Sequence, residues 1–335
     1  MAERTESSSI PRTQALTKWG ISLVNGFFGD YLRDSENGLA TDMALRHAGR
    51  PLSITPDALR SVHPDTTGRL VILVHGLGCH EGIWQYPEPG DPALTTTYGE
   101  GLHREHGYTP FYLRYNTGLA LAENGAHFAT LLNRLLSNYP TPVTEIVLIG
   151  HSMGGLVIRS ACHYGASRQA GWVERVRRVF YLASPHEGAP LAKFAHWTTD
   201  VMQAARNPVT QLIGDALNAR SQGVKDLRHG APLHHDGQSA PWLGHARHYL
   251  IVGTLHGDTA HAASVLFGDG LVRQRSAKGG SSAATAWAGD EQAPPAEIDV
   301  LPGIHHLRLA HDPAVFHKIS QQCRQRTGGV VDNGD

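Results

Sequence analysis

The sequence predicts an α/β fold, with a mostly parallel central sheet, helices packed on it and a helical insertion over one end. Three observations carry this. First, short apolar runs rich in β-branched residues recur along the chain, at Arg69–Val74 (RLVILV), within Val143–Gly150 (VTEIVLIG), at Arg175–Ala183 (RVRRVFYLA) and at Arg247–Val252 (RHYLIV). Runs apolar on both faces suit strands covered on both sides, as in parallel sheets. Second, helical patterns lie between them, and strands alternating with helices imply right-handed crossovers. Third, 335 residues, 41% hydrophobic and 18% charged, supply a substantial core, and α/β folds of this size often form one large domain.

The elements follow in order. Residues 1 to about 12 read as a polar tail. From Thr13 to Leu32, Leu16, Trp19, Ile21, Leu23, Val24, Phe27, Phe28 and Tyr31 recur at helical spacing, broken by Gly20 and Gly26. This amphipathic helix lacks the basic face of an interfacial anchor, so docking on the core is preferred and contact with a lipid surface is second. Residues 1–68 thus form a tail with a helical segment, and residues 69–326 the main domain. Its first strand, Arg69–Val74, runs into His75-Gly76-Leu77-Gly78. Pro110–Tyr115 is the next strand, followed by Asn116-Thr117-Gly118. A helix from Ala120 to Asn138 follows, its Leu121, Phe128, Leu131, Leu132, Leu135 and Leu136 close to a 3.6-residue period. Pro140 and Pro142 close it. The insertion spans residues 191–245, with helical stretches at Phe194–Ala205 and Val209–Asn218 and no strand; it is placed as a cap over the carboxyl ends of the strands. After Arg247–Val252, residues 278–296 form a long Gly/Ser/Ala-rich loop. Glu297–Leu301 is the last strand and Pro313–Arg326 the last helix, with Asp312 as its N-cap and Pro313 in its first turn. Residues 327–335 form a disordered tail.

Composition excludes several classes. A net charge of −1 gives no electrostatic case for nucleic acid or an anionic membrane surface. Cys79, Cys162 and Cys323 are few and widely spaced, which argues against a disulfide framework and for a reducing, cytoplasmic compartment. The N-terminal MAERTESSSIPRTQ has no apolar core of a signal peptide, and no apolar run reaches bilayer length. The 22 histidines invite a metal hypothesis, yet they are scattered, with no H-E-x-x-H and no paired Cys spacing, and only clusters such as His234-His235-Asp236 stand out. Neither metal nor cofactor is expected.

The stretch Val143 to Ser160 carries the chemistry: an apolar strand, Gly-His-Ser-Met-Gly, and a helix-forming run. This reads as a nucleophile elbow, a strained turn that lifts Ser152 clear of the sheet. Gly150 and Gly154 stand where such a turn has no room for side chains, and Gly155 lets the helix approach its strand. The helix N-terminus stabilises negative charge developing beside the serine. The Leu77 and Met153 amides are the candidate oxyanion donors. A serine hydroxyl needs a base to take its proton and an acid to orient that base, in the chain order serine, acid, histidine. Asp269, between Gly268 and Gly270, ranks first as the acid, ahead of Asp258 and Glu187. For the base, His306 ranks ahead of His305, since adjacent side chains diverge, while His311 borders the last helix.

Six segments run in order from about residue 70 to 320: VILVHGLG near Val71, RYNTG at Arg114, GHSMGGLVIRS at Gly150, YLASPHEGAP at Tyr181, GDGLVRQRSA at Gly268 and GIHHLRL at Gly303. In them the chain resembles lipase-like α/β hydrolases of the GPI-inositol-deacylase type and small bacterial triacylglycerol lipases. The SPHEGAP stretch resembles that group's TPHxGAP segment, with Ser184 in place of threonine. The resemblance implies an α/β-hydrolase fold, a Ser152-Asp269-His306 triad and the hydrolysis of carboxylic esters, of small-molecule or lipid origin. The same machinery serves acyl transfer to an alcohol or thioester cleavage, and a third reading is a binding module that has lost catalysis. The 191–245 insertion matches no segment of the group, so substrate choice is not carried over.

Overall fold

The computed structural model describes residues 12–88, 90–186, 221–229, 240–254 and 296–324. The chain opens with α1 (Arg12–Asp34), then two short strands, β1 (Ala44–His47) and β2 (Arg50–Pro51), and α2 (Pro56–Val62). β3 (Arg69–Val74) is the first buried strand; a 3₁₀ turn (Glu81–Trp84) and a separate hairpin, β4 (Gln85–Glu88) with β5 (Asp91–Thr97), follow it. Next come α3 (Tyr98–His106), β6 (Thr109–Arg114), α4 (Leu121–Asn138), β7 (Glu145–His151), α5 (Met153–Ser167) and β8 (Val176–Leu182). The remaining elements are α6 (Gln222–His229), β9 (Arg247–Thr254), β10 (Ala296–Pro302), a 3₁₀ turn (Leu307–Ala310) and α7 (Pro313–Arg324).

One eight-stranded sheet runs β2-β1-β6-β3-β7-β8-β9-β10. From β6 to β10 every pairing is parallel, and β1 joins β6 antiparallel. Leu70–Val74, Ile146–Ile149 and Val179–Leu182 are fully buried, which is why their sequences are apolar without alternation. From β3 the chain steps to β6 on one side, then crosses back to β7 on the other. The strand order therefore reverses at β3, and open α/β sheets bind ligands outside the carboxyl ends of the strands at such a switch point. The loops leaving β3 and β7 there are His75–Gly78 and Ser152. The amino ends carry one charged cluster: Arg178, buried, pairs with Glu145, which also takes Arg69 Nε at 3.1 Å and the Tyr108 hydroxyl at 2.7 Å.

Three differences from the sequence expectations have physical causes. The glycines at 20 and 26 do not interrupt α1, which bends instead at Phe28 (φ −128°, ψ 15°). Gly26 and Gly29 are points of close packing, since a Cβ at Gly29 would lie 1.8 Å from Asn116 Oδ1. Helix α3 was not expected; its Gly99 and Gly101 are points of close packing, since a Cβ at either would strike Tyr112 or Phe316. β1 and β2, upstream of Arg69, complete the sheet edge. The expected boundaries elsewhere hold within two residues for β6, α4, β8, β9, β10 and the start of α7, and Asp312 Oδ1 does accept the Ala314 N–H at 2.8 Å. The helical stretches expected at 194–205 and 209–218 and the loop at 278–295 lie outside the described residues. No described helix is long and apolar enough to cross a membrane.

Candidate active site

Ser152 directly follows β7 and caps α5, with φ +53° and ψ −123°. That region is costly for a residue with a side chain, about 1–3 kcal/mol, and persists only where the surroundings over-determine it. They do so here. The Ser152 N–H donates to Leu182 O at the end of β8 (2.8 Å), and Gly155 N–H donates to Ser152 O (3.1 Å). Added Cβ atoms would lie 2.5 Å from Gly155 N at Gly150 and 2.2 Å from Val74 O at Gly154. At Gly76 one would lie 3.0 Å from Ser152 Cβ. The tight turn is thus pinned between β3, β8 and the first turn of α5.

The His75–Gly78 loop faces this turn. The Gly76 carbonyl accepts from His75 Nδ1 (2.9 Å) and from Cys79 N–H (3.2 Å). Because the peptide is planar and trans, anchoring that carbonyl aims the Leu77 N–H the opposite way. The His75 ring is stacked on Tyr115 at 4.7 Å, and the Tyr115 hydroxyl donates to His75 O at 2.8 Å. Burial pushes the His75 pKa down to about 3, so the ring is neutral and carries its proton on Nδ1 to make this bond. Neither the Leu77 nor the Met153 N–H has an acceptor among the described residues. Arg114 braces the segment after the loop, its Nε and Nη2 donating to Glu81 Oε2 (2.6 Å) and Oε1 (2.7 Å).

His306 lies between β10 and the Leu307–Ala310 turn and is half-buried, while its neighbour His305 points to solvent. His151, the residue before Ser152, donates from Nε2 to the His306 carbonyl (3.0 Å) and sets its ring against the His306 ring (centroids 5.0 Å apart). This bond requires the Nε2–H tautomer of His151, which burial keeps neutral by lowering its pKa to about 4. Burial, then the His151 and His305 rings, holds His306 well below the usual histidine range. His311 sits at the end of the 3₁₀ turn, likewise pushed down by burial. Asp269, with its alternatives Asp258 and Glu187, lies outside the described residues; Asp269 and Asp258 belong to the connection leaving β9 at the carboxyl edge of the sheet. Among the described residues no group of three or more His, Cys, Asp or Glu side chains is placed to hold a metal.

Two sets of residues were not singled out by sequence reasoning. Arg159, on α5 and buried, lies over the Trp242 ring (4.3 Å), reaches His186 Nδ1 (3.2 Å) and donates to the Ala240 carbonyl. It ties the Ser184–His186 segment and the end of the insertion to the helix behind Ser152. The second set is Asn116-Thr117-Gly118, whose Thr117 Oγ1 accepts the Gly78 N–H at 3.0 Å. Arg159 occurs in GHSMGGLVIRS, its partner His186 in SPHEGAP and Thr117 in RYNTG, all segments already notable in the sequence, but a bond between distant loops leaves no local signal.

Residues 113–229, which include Ser152 and the whole of α5, match the PGAP1-like alpha/beta domain family. No curated protein matches the sequence. Among solved structures, the mature lipase BlEst2 of Bacillus licheniformis is similar with a TM-score of 0.47 and 17% identity, over 76% of this chain and 91% of that one. A lipase-esterase related protein of Clostridium acetobutylicum follows, with a TM-score of 0.40 and 13% identity over 77% and 94%. A thermophilic esterase of Thermogutta terrifontis gives 0.39 and 15% over 77% and 89%. The resemblance read from the motifs is met by the family match, and the strand order with its elbow at the switch point is that of the α/β-hydrolase fold.

Proposed function

We propose that this protein hydrolyses carboxylic esters by forming an acyl-enzyme on Ser152. The observation that carries the reading is the conformation of Ser152, a non-glycine residue at φ +53° between a parallel strand and a helix N-terminus, beside two backbone amides without acceptors among the described residues. His306 takes the hydroxyl proton as Ser152 attacks the carbonyl carbon, and the oxyanion is held by the Leu77 and Met153 N–H groups. Asp269 orients His306 and stabilises its imidazolium. The protonated His306 then gives its proton to the departing alcohol. Water, deprotonated by the same histidine, attacks the acyl-enzyme and restores Ser152. Support for His306 over His305 comes from its inward position against His151; support for Asp269 comes from the GDGLV resemblance and the chain order alone. The substrate is a small-molecule or lipid ester, met in the cytoplasm, with no metal or cofactor.

In the test, Ser152→Ala loses p-nitrophenyl ester turnover by at least about 10⁴-fold while keeping its fold, and wild type takes a fluorophosphonate label that the variant does not. Substantial turnover in Ser152→Ala sinks the nucleophile assignment. Asp269→Asn collapses the rate and Asp258→Asn leaves it nearly intact; the reverse moves the acid to Asp258.

A further inference from the structure

We propose that helix α1 and Thr117 are the positioning elements of the oxyanion loop, so that contacts made by the N-terminal helix set the turnover number. This rests on the reading of Ser152 as nucleophile and Leu77 as oxyanion donor.

Leu77 stands between two peptide groups with different anchors. The one before it is held within the loop, through the Gly76 carbonyl and its bonds to His75 and Cys79. The one after it is held from outside, through Gly78 N–H to Thr117 Oγ1 at 3.0 Å. Gly78 has φ +65°, and a glycine there changes conformation at little cost once its anchor is lost. The anchor is pressed from behind by α1. A Cβ built at Gly26 would lie 3.1 Å from both Gly78 Cα and Gly78 N, and 3.3 Å from Thr117 Oγ1. The helix backbone therefore packs so closely on the loop backbone that a methyl group at Gly26 would press on Gly78.

Thr117 is itself held against the same helix. Asn116 Nδ2 donates to Gly29 O (2.9 Å) and Asn116 Oδ1 accepts Gly118 N–H (3.0 Å). A Cβ at Gly118 would fall 2.3 Å from Asn25 O. At its other end α1 sets Trp19 against His80, two residues beyond Gly78 (centroids 4.5 Å). On its outer side Ser221 Oγ donates to Gly26 O (2.8 Å) and Gln222 N–H to Asp30 Oδ2 (3.1 Å), so α6 holds α1 in place. Loop, Thr117 turn, α1 and α6 form one continuous stack, and the oxyanion donor sits at its inner end. An oxyanion donor contributes about 10²–10³ in kcat; mis-aiming it by a few tenths of an ångström forfeits part of that, on the order of tenfold.

The test is steady-state kinetics of the full chain on a soluble p-nitrophenyl ester, with thermal melting and fluorophosphonate titration of Ser152 for every variant. Thr117→Val keeps the shape and removes the acceptor; kcat falls on the order of tenfold with KM within about twofold. Thr117→Ser restores the acceptor and most of the rate. Gly26→Ala, which adds one methyl against Gly78, lowers kcat in the same way. Gly38→Ala, where a Cβ meets nothing within 4 Å, leaves it unchanged. Wild-type kcat per titrated serine in both Thr117→Val and Gly26→Ala overturns the proposal while leaving Ser152 as the nucleophile. A wild-type protein that takes no label overturns both readings together.

Discussion

Ser152 and its glycines were legible in the sequence because the turn dictates composition locally: Gly150, Gly154 and Gly76 stand where backbone atoms or Ser152 itself leave no space for a Cβ. Which of His305 and His306 faces inward was not, since adjacent side chains diverge and the contacts of His306 are made with His151, on a strand 155 positions away in the chain. The state of that histidine yields a prediction. Its pKa is lowered by burial and by neighbouring His151 and His305, and a base works only in its neutral form. With His306 as the proposed base, activity is expected to fall with pH as His306 takes a proton. A depressed pKa therefore moves the acid limb of kcat/KM below the ordinary histidine value of about 6.5. A pH–rate profile of an unactivated ester checks this, and a limb at or above about 6.5 contradicts it.

At the level of elements, periodicity revealed what is long and apolar and missed what is short or packed through glycine. β1 and β2 have only four and two residues and stand at the sheet edge, so neither burial nor alternation marks them. Helix α3 did carry a signal, the capping-box pattern of Thr97 and Glu100, in which Thr97 Oγ1 accepts the Glu100 N–H at 3.1 Å. The contacts of the segment ending at 245 could not be read from the sequence, because they, such as Arg159 with Trp242 and Ala240, join residues far apart in the chain. Glycine packing also governs α4 on α5. A Cβ at Gly125 would lie 2.0 Å from Ser160 Oγ, 2.4 Å from its Cβ and 2.9 Å from its backbone carbon. Rotating the hydroxyl relieves the first contact only, so the helices must part. Gly125→Ala is expected to cost about 1–3 kcal/mol despite its better helix propensity. Urea unfolding measures it, and a stabilised variant would refute the packing argument.

Over the whole molecule, four of the described histidines are held by the fold as neutral rings. His75, His80, His151 and His248 are all buried, and burial lowers their pKa values to about 3 for His75 and about 4 for the other three. Each has one role as a neutral ring: His75 anchors the Gly76 carbonyl, His80 Nδ1 accepts Gly82 N–H, His151 holds His306, and His248 bonds the Leu243 carbonyl. In the unfolded chain the same rings titrate near 6.5. Below that pH the unfolded state binds protons that the folded state refuses, so stability falls with pH until the folded values are reached; above it, these groups contribute no pH dependence. Each ring contributes about 1.4 kcal/mol per pH unit, and the four together about 5 kcal/mol per unit at full titration. That is large against a typical net stability of about 5–15 kcal/mol, so the fold is expected to fail within one to three pH units below about 6. Urea midpoints taken from about pH 7 to about pH 5 should drop steeply. The variant His80→Asn keeps an acceptor for Gly82 N–H and cannot take up a proton, so it should remove about 1.4 kcal/mol per pH unit from the slope. Unchanged midpoints across this range would mean that these rings are hydrated and free to charge in the folded state, and with that the neutral His75 and His151 on which the aim of Leu77 and the seat of His306 depend would be lost.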